Sequence, residues 1–427
     1  MQPEFEHLSQ PSRRGFLSLA ALGSAGLLIP TPAWSFVARQ YPGLRSEIAA
    51  YVAAKKAAGI VAAIGYGKER PEFISAGTLA ITSKTKMDPN SLFRCYSMTK
   101  PITGMAAMIL IGEGKMTLDQ PIADFLPEFA SMRVMTDPEN SLESVPAKNP
   151  ITVRHLLTHT AGLGYTIVSK GPYLKALNEN GLSPAVPLKV KIPGFGGDAA
   201  PTPDLKTFAE RLATLPLIAE PGTKWSYSLS LDLMGRVIEV ASGMDFEQFL
   251  TKRIFKPLKM TSSYFQLPKS EVKRFAANNF LMGGKLVEFE SAKDSPYLDK
   301  PAFAFGGSGL VSSARDYDRF LAMLLNGGSL DGAHIMAPET VALGTSNLLL
   351  PGTEINTGPI KIEGFGAGGR VGMGDQEGSF GWSGAAGTVG FIQKRRNIRA
   401  TGMVQYMPPV GGFHDDFPKW VVADLGA

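Results

Sequence analysis

The sequence predicts an α+β fold: an antiparallel sheet flanked by helices, with a mainly helical domain inserted into it. Three observations carry this. Strand-like apolar runs stand near the start of the chain, helical periodicity with start and stop signals fills its middle, and short strand-like segments return from about residue 360. The division expected is a removable segment at 1–35, a sheet domain from 36–115 plus 300–427, and a helical domain at 116–299.

Taken in order, "RSEIAAYVAAKKAAG" (45–59) has a helical pattern with Gly59 as its C-cap. "IVAAIGYGKE" and "EFISAGTLAI" read as two strands joined by the charged turn "KERP". In "PITGMAAMILIGEG", Ile102, Met105, Ala106 and Ile109 fall on one helical stripe. "ITVRHLLTHTAGL" has Thr152 as N-cap and Gly162 as stop, and "LSLDLMGRVIEVASG" ends at Gly243. Between them, 164–205 is rich in Gly and Pro with little periodicity, a long loop of the kind that serves as a lid or pocket wall. "GFGAGGRVGM", "AAGTVGFIQKRR" and "IRATGMVQYM" then alternate with turns and should rejoin the N-terminal sheet.

Composition narrows the class. The 427 residues suffice for a sizeable core and two lobes, and 44% apolar with 19% charged residues is a globular balance. A net charge of +5 without a long basic run argues against a nucleic-acid partner. Cys95 is the one cysteine, so neither an intramolecular disulfide nor a Cys-based zinc site can form. Its surroundings read as those of a small buried apolar residue.

The pair Arg13–Arg14 precedes a short apolar stretch that ends in Ala33-Trp34-Ser35, a small-x-small cleavage pattern. Residues 1–35 are thus expected to be a twin-arginine signal peptide, and the mature protein to be exported already folded, periplasmic or secreted. Beyond them no apolar run is long enough to span a bilayer.

Ser-x-x-Lys occurs three times, at Ser83/Lys86, Ser97/Lys100 and Ser270/Lys273. The first lies among turn formers and the last in a charged surface stretch. Ser97 differs because Pro101 fits only a first helical turn and pins a helix start beside it. There, Lys100 shares a face with Ser97, the Ser97 N–H lacks an internal partner, and the helix dipole disfavours a protonated amine. An activated nucleophile with its base fits this placement, and so does a plain N-cap beside a surface lysine.

Further blocks decide between them. "YSMTK" (96–100), "LLTHTAGL" (156–163), "EPGTKWSYSLSLDLMGRVIEVASG" (220–243) and "GGSGLVSSARDYDRFLAMLLNGG" (306–328) stand in one order through nearly the whole chain. Together they resemble the superfamily of class C serine β-lactamases, penicillin-binding DD-peptidases and family VIII carboxylesterases. The resemblance implies Ser97 as acylated nucleophile, Lys100 as the group lowering its proton affinity, and Tyr227 as a second base. "WSG" (Trp382, Ser383, Gly384) is similar to the third motif, usually Lys-Thr-Gly or His-x-Gly. It implies an oxyanion hole from the N–H groups of Ser97 and Ala385, the latter on a sheet edge, and no cofactor.

Two departures bear on substrate. Leu229 stands where class C enzymes carry Asn, and Trp382 where they carry a cation that helps hold a carboxylate. Indole offers apolar contact instead. Tyr-Ser-Leu with Trp-x-Gly looks more like the esterases and related acyltransferases, so a small ester or amide is the expected partner, with Arg370 as a possible substitute cation. A β-lactamase, DD-peptidase or transacylase is the alternative, and a non-catalytic ligand sensor is a third. Gly-x-Ser-x-Gly is absent, and "GGSGL" at Ser308 lacks its last Gly. His155 and His159 have metal-compatible spacing without an evident third ligand, so no metal is expected.

Overall fold

The computed structural model describes residues 41–182, 202–356, 360–407 and 412–425, together with 186, 189 and 358. The expected signal peptide at 1–35 lies outside the described residues, as does most of 183–201. Helix α1 (Pro42–Ala53) ends earlier than the sequence suggests: Lys55 turns the chain at φ 56°, and Gly59 opens strand β1 (Gly59–Tyr66) rather than capping a helix. Strand β2 (Glu72–Gly77) pairs with β1 antiparallel as expected. Strand β3 (Leu92–Arg94) leads through a 3-10 turn, Tyr96–Met98, into α2 (Thr99–Gly112). The predicted stripe on α2 understates its burial, because every residue from Thr99 to Leu110 is buried. This is a central helix with neighbours all round, not a half-exposed one.

In the middle segment a small hairpin, β4 (Arg133–Met135) with β5 (Ser144–Pro146), precedes α3 (Val153–Leu157). Thr152 caps α3 in a reciprocal pair with His155, accepting the His155 N–H while His155 Nδ1 accepts the Thr152 N–H. The span expected to be one loop contains α4 (Gly171–Glu179). Next come α5 (Leu205–Ala213), α6 (Ser230–Ser242), which stops at Gly243 with φ 68°, and α7 (Phe246–Leu250). A second hairpin, β6 (Asn278–Met282) and β7 (Lys285–Glu290), ends this part.

The remaining chain begins with β8 (Val311–Ser313) and α8 (Ala314–Leu325). It continues with β9 (Ser329–Leu330), β10 (Ala333–His334) and α9 (Pro338–Gly344). The closing strands are β11 (Gly364–Phe365), β12 (Arg370–Val371), β13 (Ser379–Ser383), β14 (Val389–Gln393), β15 (Ile398–Met403) and β16 (Tyr406–Met407). Helix α10 (Phe413–Ala423) follows. The main sheet runs β11-β12-β13-β14-β15-β1-β2 with antiparallel neighbours throughout, so the last long strand closes on the first, Val61 opposite Met403. Alternation along β1 explains why a nearly unbroken apolar run suits it: Val61 and Ala63 face the cluster of α2 and α8, while Ile60, Ala62 and Ile64 face α1 and α10. The expected α+β architecture, a sheet between helical layers, is the observed one. One detail is corrected. Strand β13 is not the sheet edge, because β12 pairs with it at Phe380 and Gly381; among the described residues, Trp382 and Ser383 have no strand partner on that side.

Candidate active site

The chain leaves β3 through a sharp turn in which Tyr96 adopts φ 44°. A left-handed backbone at a bulky residue is strained and needs support. Here Asn278 Nδ2 donates to the Tyr96 hydroxyl at 2.8 Å, and the ring is buried. The turn places Ser97 at the entry to α2, with Pro101 in the first turn as the sequence requires.

Lys100, one turn on, has no exposed surface. Its Nζ donates to Ser97 Oγ at 3.2 Å and to the Gly307 carbonyl at 2.8 Å. It also lies 4.5 Å from the centre of the Tyr227 ring and 5.5 Å from that of Tyr165. The structure thus brings Ser97, Lys100 and Tyr227 together, but the phenol approaches the amine by its ring face. The partner of the Tyr227 oxygen is Trp382, whose Nε1 donates to it at 3.1 Å. Rings of His159 at 4.8 Å, Tyr165 at 5.2 Å and Trp382 at 5.7 Å hold Tyr227 in place.

The opposing wall is the end of β13. A Cβ on Gly384 would lie 2.3 Å from the Cys95 carbonyl oxygen, so the absence of a side chain lets this strand close on the Ser97 turn. Thr388 Oγ1 donates to the same carbonyl at 3.2 Å. Ser383 and Ala385 are half-buried at the mouth, whereas Ser97 is 9%, Tyr227 6% and Trp382 7% exposed. Among the described residues, the Ala385 N–H donates to no backbone acceptor. Arg370, on β12, places its guanidinium 5.4 Å from the Trp382 ring centre and donates to the Lys361 carbonyl at 2.9 Å. Leu229, expected on the substrate wall, has no exposed surface and forms the N-cap of α6 within the core.

Three further groups escaped sequence reasoning. Asp232, in the first turn of α6, is fully buried, and its Oδ1 accepts the Gly307 N–H at 2.8 Å. Burial pushes its carboxyl up to about 6, against the pull of Lys100. A lone acid inside the apolar run "LSLDLMG" was the available signal. Tyr165 and the Gly307 carbonyl carried none. His159 is pushed well below the usual imidazole range by burial and then by Lys100. Its Nδ1 accepts the Ser228 N–H at 3.2 Å, and its Nε2 has no hydrogen-bond partner among the described residues. His155 is lowered to about 4 by burial, and its Nδ1 is committed to the Thr152 cap. Among the described residues no cluster of three or more His, Cys, Asp or Glu could hold a metal. The other two Ser-Lys pairs lie apart from this site: Lys86 is exposed, and so are Ser270 and Lys273.

The chain is similar to known proteins over much of its length. Acyltransferase calJ of Penicillium decumbens is 31% identical over 346 residues, 74% of this chain and 76% of that protein. The lovastatin esterase of Penicillium rubens is 29% identical over 357 residues, covering 78% and 84% respectively. The chain spans 61% of the length of the first curated relatives it matches. Among solved structures, EstCE1, a hydrolase with promiscuous acyltransferase activity, superposes with a TM-score of 0.73 at 23% identity over 91% of this chain and 98% of that one, a likeness of fold. The Beta-lactamase family model matches residues 44–424, and the chain belongs to that family.

Proposed function

We propose that the chain is a serine carboxylesterase working through an acyl-Ser97 intermediate. The observation that carries this reading is the buried contact of Lys100 Nζ with Ser97 Oγ at 3.2 Å, walled by Tyr227 and Trp382. With one N–H kept on the Gly307 carbonyl, a neutral amine turns its lone pair to the serine hydroxyl. The Ser97 proton passes to Nζ as Oγ bonds to the ester carbon, and the carbonyl oxygen takes up charge between the N–H groups of Ser97 and Ala385. Trp382 Nε1 fills one side of the Tyr227 oxygen, leaving the other to hand a proton to the departing alcohol. Water then attacks the acyl carbon, and its proton returns by the same groups while Oγ recovers its hydrogen.

Trp382 supports a neutral ester over a β-lactam, since indole in that place supplies contact area rather than charge. Arg370 beside it favours a second reading, a substrate or acyl acceptor bearing a carboxylate. The Arg13–Arg14 segment supports export through the twin-arginine route. Labelling with a fluorophosphonate followed by peptide mass spectrometry tests the nucleophile. Modification at Ser97 is expected, and an unlabelled Ser97 would favour a ligand sensor. p-Nitrophenyl butyrate should be turned over faster than nitrocefin, and the reverse would overturn the role given to Trp382.

A further inference from the structure

Asp232 is joined to the reacting serine by a continuous chain of contacts. Its Oδ1 accepts the Gly307 N–H at 2.8 Å, the Gly307 carbonyl accepts from Lys100 Nζ at 2.8 Å, and Lys100 reaches Ser97 Oγ at 3.2 Å. A methyl group on Gly307 would lie 2.5 Å from Asp232 Oδ2, so the bare backbone is needed for this approach. Thr103 Oγ1 donates to the neighbouring Gly306 carbonyl at 2.7 Å, which fixes the same turn from α2. The turn is therefore already held from two sides. An amide or hydroxyl at 232 would hold the Gly307 N–H equally well. What a carboxylate adds is charge, in a place with no solvent to screen it. Its second oxygen, buried, has no hydrogen-bond partner among the described residues. A carboxylate left half-satisfied beside a lysine is an expensive arrangement for structure alone.

We infer that Asp232 is a positioning residue that stabilises the ammonium formed at Lys100 when the amine takes the Ser97 proton, while holding the Gly307 carbonyl on that amine. This deepens the esterase reading and rests on it. The step balances within the site: the proton leaves Oγ for Nζ, Oγ bonds to the acyl carbon, and the fixed carboxylate faces the new positive charge without itself being protonated. Burial opposes ionisation of Asp232 and a positive charge on Lys100 favours it, so the carboxylate gains its counter-charge when the ammonium forms.

Asp232→Asn keeps an acceptor for the Gly307 N–H and removes the charge. Expected is a fall in kcat on p-nitrophenyl butyrate of about tenfold or more, KM within about threefold, and a parallel slowing of fluorophosphonate labelling at Ser97. The groups facing Asp232 are Lys100 from α2 and Tyr165 from the segment after α3. A carboxyl raised above its unfolded value of 3.8 stabilises the fold when protonated, and that stability is lost as pH rises through about 6. Relative to wild type, Asp232→Asn should therefore gain melting temperature between pH 5 and pH 8. Wild-type kcat in this variant would overturn the inference. Should the variant not fold, Asp232→Ser decides, because its hydroxyl also accepts the Gly307 N–H without carrying charge: a similar fall in kcat is expected, and wild-type kcat would overturn the inference. Failure of the esterase reading would appear separately as an unlabelled Ser97 in the wild type.

Discussion

Two buried ionic clusters in this molecule differ in how completely they close. In the first, Arg399 of β15 grips Asp318 of α8 with two bonds, Nε to Oδ1 at 2.8 Å and Nη2 to Oδ2 at 3.2 Å. Two more of its hydrogens go to the carbonyls of Gly67 and Glu69 at 2.9 Å each, and both side chains are 3% exposed. Every charge there has a matching partner, and the cluster pins a helix, a strand and the turn after β1. In the second, Lys100 and Asp232 are as deeply buried but meet through the Gly307 backbone, and Asp232 Oδ2 and His159 Nε2 lack partners among the described residues. A closed pair has no capacity left for a moving proton. An open one does, at a cost in stability, and that cost is commonest where chemistry is done.

The contrast breaks first at the open cluster. Ser97→Ala removes one oxygen and should lower kcat/KM on p-nitrophenyl butyrate by about a thousandfold or more, with melting little changed. Lys100→Ala should lose nearly as much, and near-normal rates would refute its role. The closed cluster should answer oppositely. Arg399→Ala leaves Asp318 buried and unpaired, so denaturant unfolding should show about 3–5 kcal/mol lost, with kcat per folded molecule within twofold of wild type. Large loss of kcat in folded Arg399→Ala would erase the distinction. Tyr227→Phe lies between, since it removes the hydroxyl that Trp382 Nε1 donates to. Here kcat should drop about a hundredfold, and the unpaired indole N–H should cost about 1–3 kcal/mol.

The same contrast explains what could be read in advance. Sheet, hairpin and helices were legible where local signals agree: the alternation of β1, the Thr152 cap, the Gly243 stop. Gly59 misled because a glycine after a helical run reads as a cap, whereas its own place is set by the β2 pairing that starts opposite Gly77. Helix α4 was hidden behind its Gly171-Pro172 start in a Gly- and Pro-rich stretch. At the site, Ser97, Lys100 and Tyr227 were named from motif blocks, because each block sits on its own local element. Asp232 and the Gly307 carbonyl were not, since their meaning arises only when residues 75 apart in sequence come to share a hydrogen bond. The bond from Trp382 to Tyr227 spans 155 residues and was invisible for the same reason. Arg370 shows the reverse. The sequence raised it as a substitute cation, and the structure places it against the Trp382 ring.

That neighbour supplies the smallest test. Arg370 is exposed on β12, and solvent screens an exposed guanidinium, so its contribution to any one contact is of the order of 1 kcal/mol or less. If the site takes neutral esters, Arg370→Ala should leave kcat/KM for p-nitrophenyl butyrate within about threefold, because the variant loses the stacking on Trp382 and an exposed bond to the Lys361 carbonyl but no contact to the ester. If substrates carry a carboxylate, the same variant should lose about fivefold on an anionic substrate such as nitrocefin, chiefly in KM, and the loss should shrink as salt is raised. The buried clusters are beyond the reach of salt, so a salt-insensitive loss would mean that Arg370 acts by packing on the indole. The charge would then belong to the surface, and the apolar reading of Trp382 would stand without a substitute cation.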